Sequence, residues 1–294
     1  MSKVNIFWDP LGVSVDSLGS KKYRRVTDGD TPYIELSIRM LSIDTPEEHY
    51  PGTTKPSKHD QLLKDLADWI KGGNSVIKKP LADHLHPKLV TGQAGTLQET
   101  QAEKATEAFR NMLERKLKKS NDRWRSVFLR AADQHFDQYG RLLAYMSPYY
   151  TAKELEGLTL RDRATFNLMM VEEGWAAPFP IYPSIPKYSD LVMLQEAAKD
   201  AVEGQKGTWS NTNALTGYEF RMCIRLSKIM EKLKKNEKMT SRDRGSWIYR
   251  YCVDMTNRKV YFPQDYHKVK VWNRIFVWPE DIREAVGKLN LVPA

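Results

Sequence analysis

Arg39-Met40-Leu41-Ser42-Ile43-Asp44-Thr45-Pro46-Glu47, preceded by Asp28-Gly29-Asp30-Thr31, is the stretch that decides how this chain reads. An arginine and an apolar strand run into a carboxylate, a Thr-Pro turn and a second carboxylate. Further on, Asp137-Gln138-Tyr139-Gly140-Arg141 supplies another turn and another arginine. Two carboxylates can hold a hard divalent cation, a third can steer a water, and two arginines can clamp a phosphate. Those are the parts that metal-assisted phosphodiester hydrolysis needs. Taken singly, each part has a plainer reading. Asp-Gly is a common turn, arginines are common on exposed strands, and Thr-Pro-Glu starts many helices.

Composition sets the frame around that stretch. A chain of 294 residues with 41% hydrophobic content can build one large domain or two smaller ones around a real core. Mean hydropathy is -0.59, and no run approaches the ~18 apolar residues of a membrane span. Residues 1–10 carry no long apolar run and no small-residue cleavage site, so the chain as written is expected in the cytoplasm. A leader removed from its start would make it secreted instead. Cys223 and Cys252 have no zinc-ligand spacing and are expected as buried thiols, with one disulfide as the alternative. Net charge is +9, and residues 211–294, with 17 Lys/Arg against 9 Asp/Glu, carry most of it. That field suits a polyanionic partner.

Residues 13–47 read as strands, with a turn at Asp28-Gly29. Residues 48–97 are punctuated by Pro51-Gly52, Gly72-Gly73-Asn74, Pro80, Pro87 and Gly92, and read as a long insertion holding one short helix over 61–70. A helix is expected over 98–119, capped at Thr96-Leu97-Gln98-Glu99, followed by strands over 123–132 and 141–146. Helices over 162–173 and 189–205 end at Gly174 and Gly207. This order fits an α+β fold, a five-stranded OB-type barrel with helices packed around it. It occupies 1–210, and 211–294 forms a basic accessory module of a helix, three short strands and a last helix. In the module's first helix, Met222, Leu226, Ile229 and Leu233 share one face. Arg221, Arg225, Lys228, Lys232 and Lys235 share another, a solvated stripe that would also suit a phosphate backbone.

Over residues 22–210 the chain resembles the staphylococcal nuclease (thermonuclease-like) family. Asp28-Gly29-Asp30-Thr31, Arg39 through Glu47, and Asp137, Tyr139, Gly140 and Arg141 match three of its motifs in order. Gly174-Trp175-Ala176 and Lys206-Gly207-Thr208-Trp209-Ser210 match two more. The resemblance implies an OB-fold nuclease that uses Ca²⁺ to cleave DNA, with RNA as a second substrate, and leaves 3′-phosphates. It implies that Asp30 and Asp44 ligate the ion through their carboxylates and Thr45 through its carbonyl. Glu47 then serves as general base or water-orienting group, Arg39 and Arg141 hold the phosphate, and Asp28 steadies the ligand loop. Tyr139, and more loosely Tyr182, contact the nucleotide. The competing expectation is a module of the same fold that binds nucleic acid or protein without cleaving it.

One spacing departs from the family pattern. Only 14 residues separate Asp30 from Asp44, about 45 Å if fully extended, so the chain must fold back between Pro32 and Ser37. No Gly or Asn marks a turn there, which makes Asp30 the least secure ligand. His49, His59, His84 and His86 lie around the insertion without metal-site spacing and read as polar loop residues. Trp247, Tyr249, Tyr251, Tyr261, Phe262 and Trp272 alternate along the expected tail strands, which suits core packing and base stacking equally.

Overall fold

The Asp28-Gly29 turn reverses the chain between β1 (Tyr23–Val26) and β2 (Pro32–Ile34), which pair antiparallel. The Thr27 N–H closes it on the Thr31 carbonyl at 3.2 Å. The computed structural model describes residues 20–119 and 121–294. The strand reading of 13–19 and the leader reading of 1–10 lie outside the described residues. After β3 (Ile38–Met40) and β4 (Ile43–Asp44) come α1 (Asp60–Lys71), α2 (Lys79–Leu89) and α3 (Ala94–Leu117). Next are β5 (Val127–Phe136), β6 (Leu142–Pro148), α4 (Ala152–Leu155), α5 (Phe166–Glu172), β7 (Ala177–Pro178), β8 (Ile181–Tyr182) and α6 (Tyr188–Glu203). The remainder holds α7 (Gly217–Lys234), α8 (Ser241–Ser246), β9 (Tyr251–Asp254), β10 (Lys259–Tyr261), β11 (Arg274–Val277), α9 (Ile282–Leu289) and β12 (Val292–Pro293). Two compact units result. One takes the described residues up to Met40 with Arg130–Ala144, and the other takes Leu41–Leu129 with Tyr145–Ala294.

In the first unit, β3 runs parallel to β6 with Arg39 opposite Leu143, and β5 flanks β6. The α+β class holds. Among the described residues the strands form four sheets of two, five, three and two strands, and none is seen to close on itself. The β4–β7 pair is short, with Ile43 opposite Pro178 and Asp44 opposite Ala177.

In the second unit the insertion is richer than its prolines suggest. It holds both α1 and α2 rather than one helix. Pro80 lies in the first turn of α2, where a missing N–H costs nothing, so a residue that reads as a breaker is a starter. Leu63, Leu66, Leu81 and Leu85 from these helices are fully buried. They share one core with Phe220, Met222, Leu226 and Ile229 of α7 and with Trp247 and Tyr266. The boundary expected at 210 therefore falls within a unit whose core draws on both sides of it. Helix α3 starts at Ala94, four residues before its expected start. Asp60 of α1 supplies the cap, accepting from the Gly95 and Thr96 N–H groups at 2.7 and 3.0 Å.

The five-stranded sheet runs β12-β10-β9-β11-β8 and joins the C-terminal strands to residues 181–182. Cys223 and Cys252 are buried and unbridged, and burial pushes their thiols up, Cys252 to about 12. The two later motifs explain themselves by packing. A side chain at Gly174 would lie 2.3 Å from the Lys206 carbonyl, and one at Gly207 would lie 2.5 Å from the Gly174 carbonyl. That same Gly174 oxygen accepts from the Thr208 N–H and hydroxyl at 3.0 and 2.9 Å.

Candidate active site

Asp44 is held by a frame of backbone bonds. It pairs with Ala177 across β4 and β7, and the Phe179 N–H donates to the Ser42 carbonyl at 2.7 Å. The Asn167 amide donates to the Leu41 carbonyl at 2.9 Å and accepts from the Met146 N–H at 3.0 Å. Ser42 and Tyr145 share a hydroxyl hydrogen bond of 2.7 Å. So fixed, the Asp44 carboxylate is only 1% exposed and the Glu47 carboxylate 22%. Thr45 between them is half-buried. Glu47 is fixed at its backbone by the buried Gln98 of α3. With the amide oriented by its partners, Gln98 accepts from the Glu47 N–H at 2.7 Å and donates to the Leu215 carbonyl at 3.0 Å.

Leu215 leads into α7, and α7 brings a residue not expected here. Arg221 donates from Nη2 to both Asp44 oxygens, at 3.0 and 3.1 Å, and from Nη1 to Glu47 Oε1. Its own burial would lower its pKa, and the charges of Asp44 and Glu47 reverse that effect, so it stays protonated. The close approach depends on Gly217, where a Cβ would lie 2.3 Å from the Thr45 carbonyl and 2.8 Å from Asp44 Oδ2. Asp44 and Thr45, expected as metal ligands, and Glu47, expected as general base or water-orienting group, thus face one helix.

Oxygen donors of this kind suit a hard dication. As arranged here, however, both oxygens of Asp44 are engaged by a guanidinium. Among the described residues no group of three or more His, Cys, Asp and Glu is placed to hold a metal. With Arg221 in position, the site does not fit Ca²⁺.

The remaining expected residues divide between the two units. In the first unit Asp28 and Asp30 are exposed in the β1–β2 turn, with the Thr31 hydroxyl on Asp30 Oδ1 at 3.1 Å. Arg39 is half-buried on β3. Asp137 organises the third motif. It accepts from the Tyr139 and Arg141 N–H groups at 2.9 and 3.0 Å and from Arg141 Nε at 2.7 Å. Partial burial pushes the Asp137 carboxyl up, and the Arg141 and Tyr139 hydrogen bonds outweigh it, leaving the group below its ordinary value. Tyr139 is 70% exposed, with the Arg141 guanidinium 5.4 Å from its ring centroid. In the second unit Tyr182 is a core residue instead of a nucleotide contact. It is buried with Val253, Ile275 and Val277, and its hydroxyl donates to Glu284 at 3.0 Å.

Neither Arg221 nor Gln98 stands out in the sequence. Spacing alone puts Arg221 on a solvated stripe, yet its helix carries Tyr218, Phe220, Met222, Cys223, Ile224 and Leu226, apolar on every side. A helix apolar all round is a central one, and an arginine on it needs a carboxylate partner. Among the histidines of the insertion, His84 pairs with Glu219 at 2.9 Å and His59 with the Tyr50 carbonyl at 3.1 Å.

A family model described as staphylococcal nuclease homologue matches residues 37–211. The chain is also similar to Endonuclease YhcR of Bacillus subtilis (strain 168), with 25% identity over 271 residues. The aligned stretch covers 90% of this chain and 16% of that protein, so the chain spans a minor part of its relative's length.

Proposed function

The chain belongs to the staphylococcal nuclease homologues, and from that premise we propose that it is a nuclease hydrolysing phosphodiester bonds of DNA, and of RNA as a second substrate class. The observation that carries this reading is the joint presence of Arg39, Asp44, Glu47 and Arg141 in the family's order. The name of the endonuclease relative points the same way.

By motif position, Glu47 orients a water and takes its proton as the water oxygen bonds to phosphorus. Arg39 and Arg141 bind the phosphate oxygens, whose negative charge grows in the transition state. The bond from phosphorus to the 5′ oxygen breaks and that oxygen takes a proton from solvent, leaving a 3′-phosphate and a 5′-hydroxyl. Exposed Tyr139 offers a ring face to the nucleotide. Ca²⁺ is the cofactor the family pattern implies, with Asp44, Thr45 and Asp30 as its ligands, and it would supply positive charge beside the phosphate.

A second reading, a nucleic-acid-binding module without cleavage, draws support from that same contact, since Arg221 ties up both carboxylates. Degradation of single-stranded DNA by the purified protein with Ca²⁺, with Mg²⁺ and with chelator decides between them. Cleavage that chelator abolishes supports a metal-assisted nuclease. Tight DNA binding with no cleavage under any of the three conditions favours the binding module.

A further inference from the structure

Arg221 stands at the two carboxylates that matter most to the proposed reaction, and the role assigned to it below rests on the nuclease reading of Asp44 and Glu47. Its Nη2 lies 3.0 and 3.1 Å from the Asp44 oxygens while Nη1 bonds Glu47. A calcium ion bound at ~2.3–2.6 Å from the same Asp44 oxygens would press against the guanidinium, and the two positive charges would repel. Both cannot hold this carboxylate face at once.

The contact is built into the fold. The first turn of α7 is fixed by a reciprocal cap, with Thr216 Oγ1 accepting from the Glu219 N–H and Glu219 from the Thr216 N–H. Gly217 brings that turn against the Thr45 carbonyl, and Gln98 couples Leu215 to Glu47. Phe220 and Met222, on either side of Arg221, are buried in the core. Asp44 is nearly inaccessible, so its carboxylate needs a cation close by, and α7 carries one there.

We infer that Arg221 is the resident cation of this site: its guanidinium and a divalent metal ion are mutually exclusive occupants of the Asp44–Glu47 pair. The accessory helix thereby sets the affinity of the protein for metal. Apparent affinity is divided by the fraction of time the seat is open, so a seat filled nine-tenths of the time weakens binding about tenfold.

The test is calorimetric titration of CaCl₂ into the full chain and into Arg221→Gln, with melting curves recorded with and without CaCl₂. The variant should bind Ca²⁺ about tenfold tighter or more. Its melting temperature should fall without the ion and recover with it, while the wild type shifts little. Arg221→Lys, whose ammonium bridges the two carboxylates poorly, should give an intermediate affinity and carries the comparison if Arg221→Gln does not fold. Equal affinities, weaker binding by the variants, or no Ca²⁺ binding by any of the three proteins would overturn the inference. DNA cleavage on the same samples separates it from the nuclease reading. Cleavage with equal affinities removes only the competition. A tenfold gap with no cleavage by any protein keeps the competition and removes the nuclease.

Discussion

Charge decides the site at the scale of single residues. A guanidinium can meet two carboxylates because its donors form a rigid planar fork, which an ammonium lacks. Arg221 uses that fork on Asp44 and Glu47. Arg141 is held differently, by Nε and Nη2 on a single Asp137 oxygen, each at 2.7 Å, so its orientation is inherited from the turn. Arg141→Ala is expected to lower the rate of DNA cleavage by about 10²–10³ with little change in melting temperature, as loss of one oxyanion-stabilising donor does. Single-turnover kinetics beside a melting curve checks both halves. These residues are legible because each motif is local: Asp137, Tyr139 and Arg141 are placed by hydrogen bonds spanning two to four residues. Arg221 is not legible, since its partners lie 177 and 174 positions away and periodicity does not report so distant a contact.

At the scale of elements, α7 behaves as a strut that reaches both the site and the core. Its second buried charge is Glu219, which accepts from Lys88 at 2.8 Å and from the Tyr266 hydroxyl at 3.0 Å and pairs with His84 at 2.9 Å. Burial alone would push the Glu219 carboxyl up, but the Lys88 charge and the His84 hydrogen bond hold it well below its ordinary 4.5. A carboxyl depressed by folding stabilises the fold above its unfolded pKa and loses that contribution as pH falls through the folded one. Urea melts of the wild type should therefore weaken steadily below about pH 4.5, and Glu219→Gln should flatten that decline while lowering stability at pH 7. Gly217→Ala probes the other end of the strut. A Cβ 2.3 Å from the Thr45 carbonyl forces α7 away, so a loss of about 1–3 kcal/mol in denaturant melts and a fall in activity are expected. Helix positions are largely readable from apolar spacing. The exceptions include α2, hidden by a proline at its start, the short α4 and α8, which apolar spacing does not mark, the onset of α5, four residues later than expected, and the onset of α3, whose cap comes from Asp60 and not from its own sequence.

Across the whole molecule, the insertion and the residues beyond 210 share one hydrophobic core, although the sequence presents them as separate additions. Truncation at 210 removes Phe220, Met222, Leu226 and Ile229 and strips the apolar faces of α1 and α2. The shortened chain should lose its cooperative thermal transition and bind a hydrophobic dye, and a sharp melt comparable to the full chain would refute this dependence. Which elements share a core is a tertiary fact, and composition shifts alone could not supply it. The class of fold and the family motifs are readable, whereas closure of the barrel is expected from strand order and is not seen among the described residues. The point on which function turns is whether Glu47 acts on the attacking water. The most direct measurement is the cleavage rate of a labelled single-stranded DNA by the wild type and by Glu47→Gln at matched protein and Ca²⁺ concentrations. A fall of about 10²-fold or more in the variant, with its fold intact by circular dichroism, is the predicted result. Equal rates in the two proteins would contradict it.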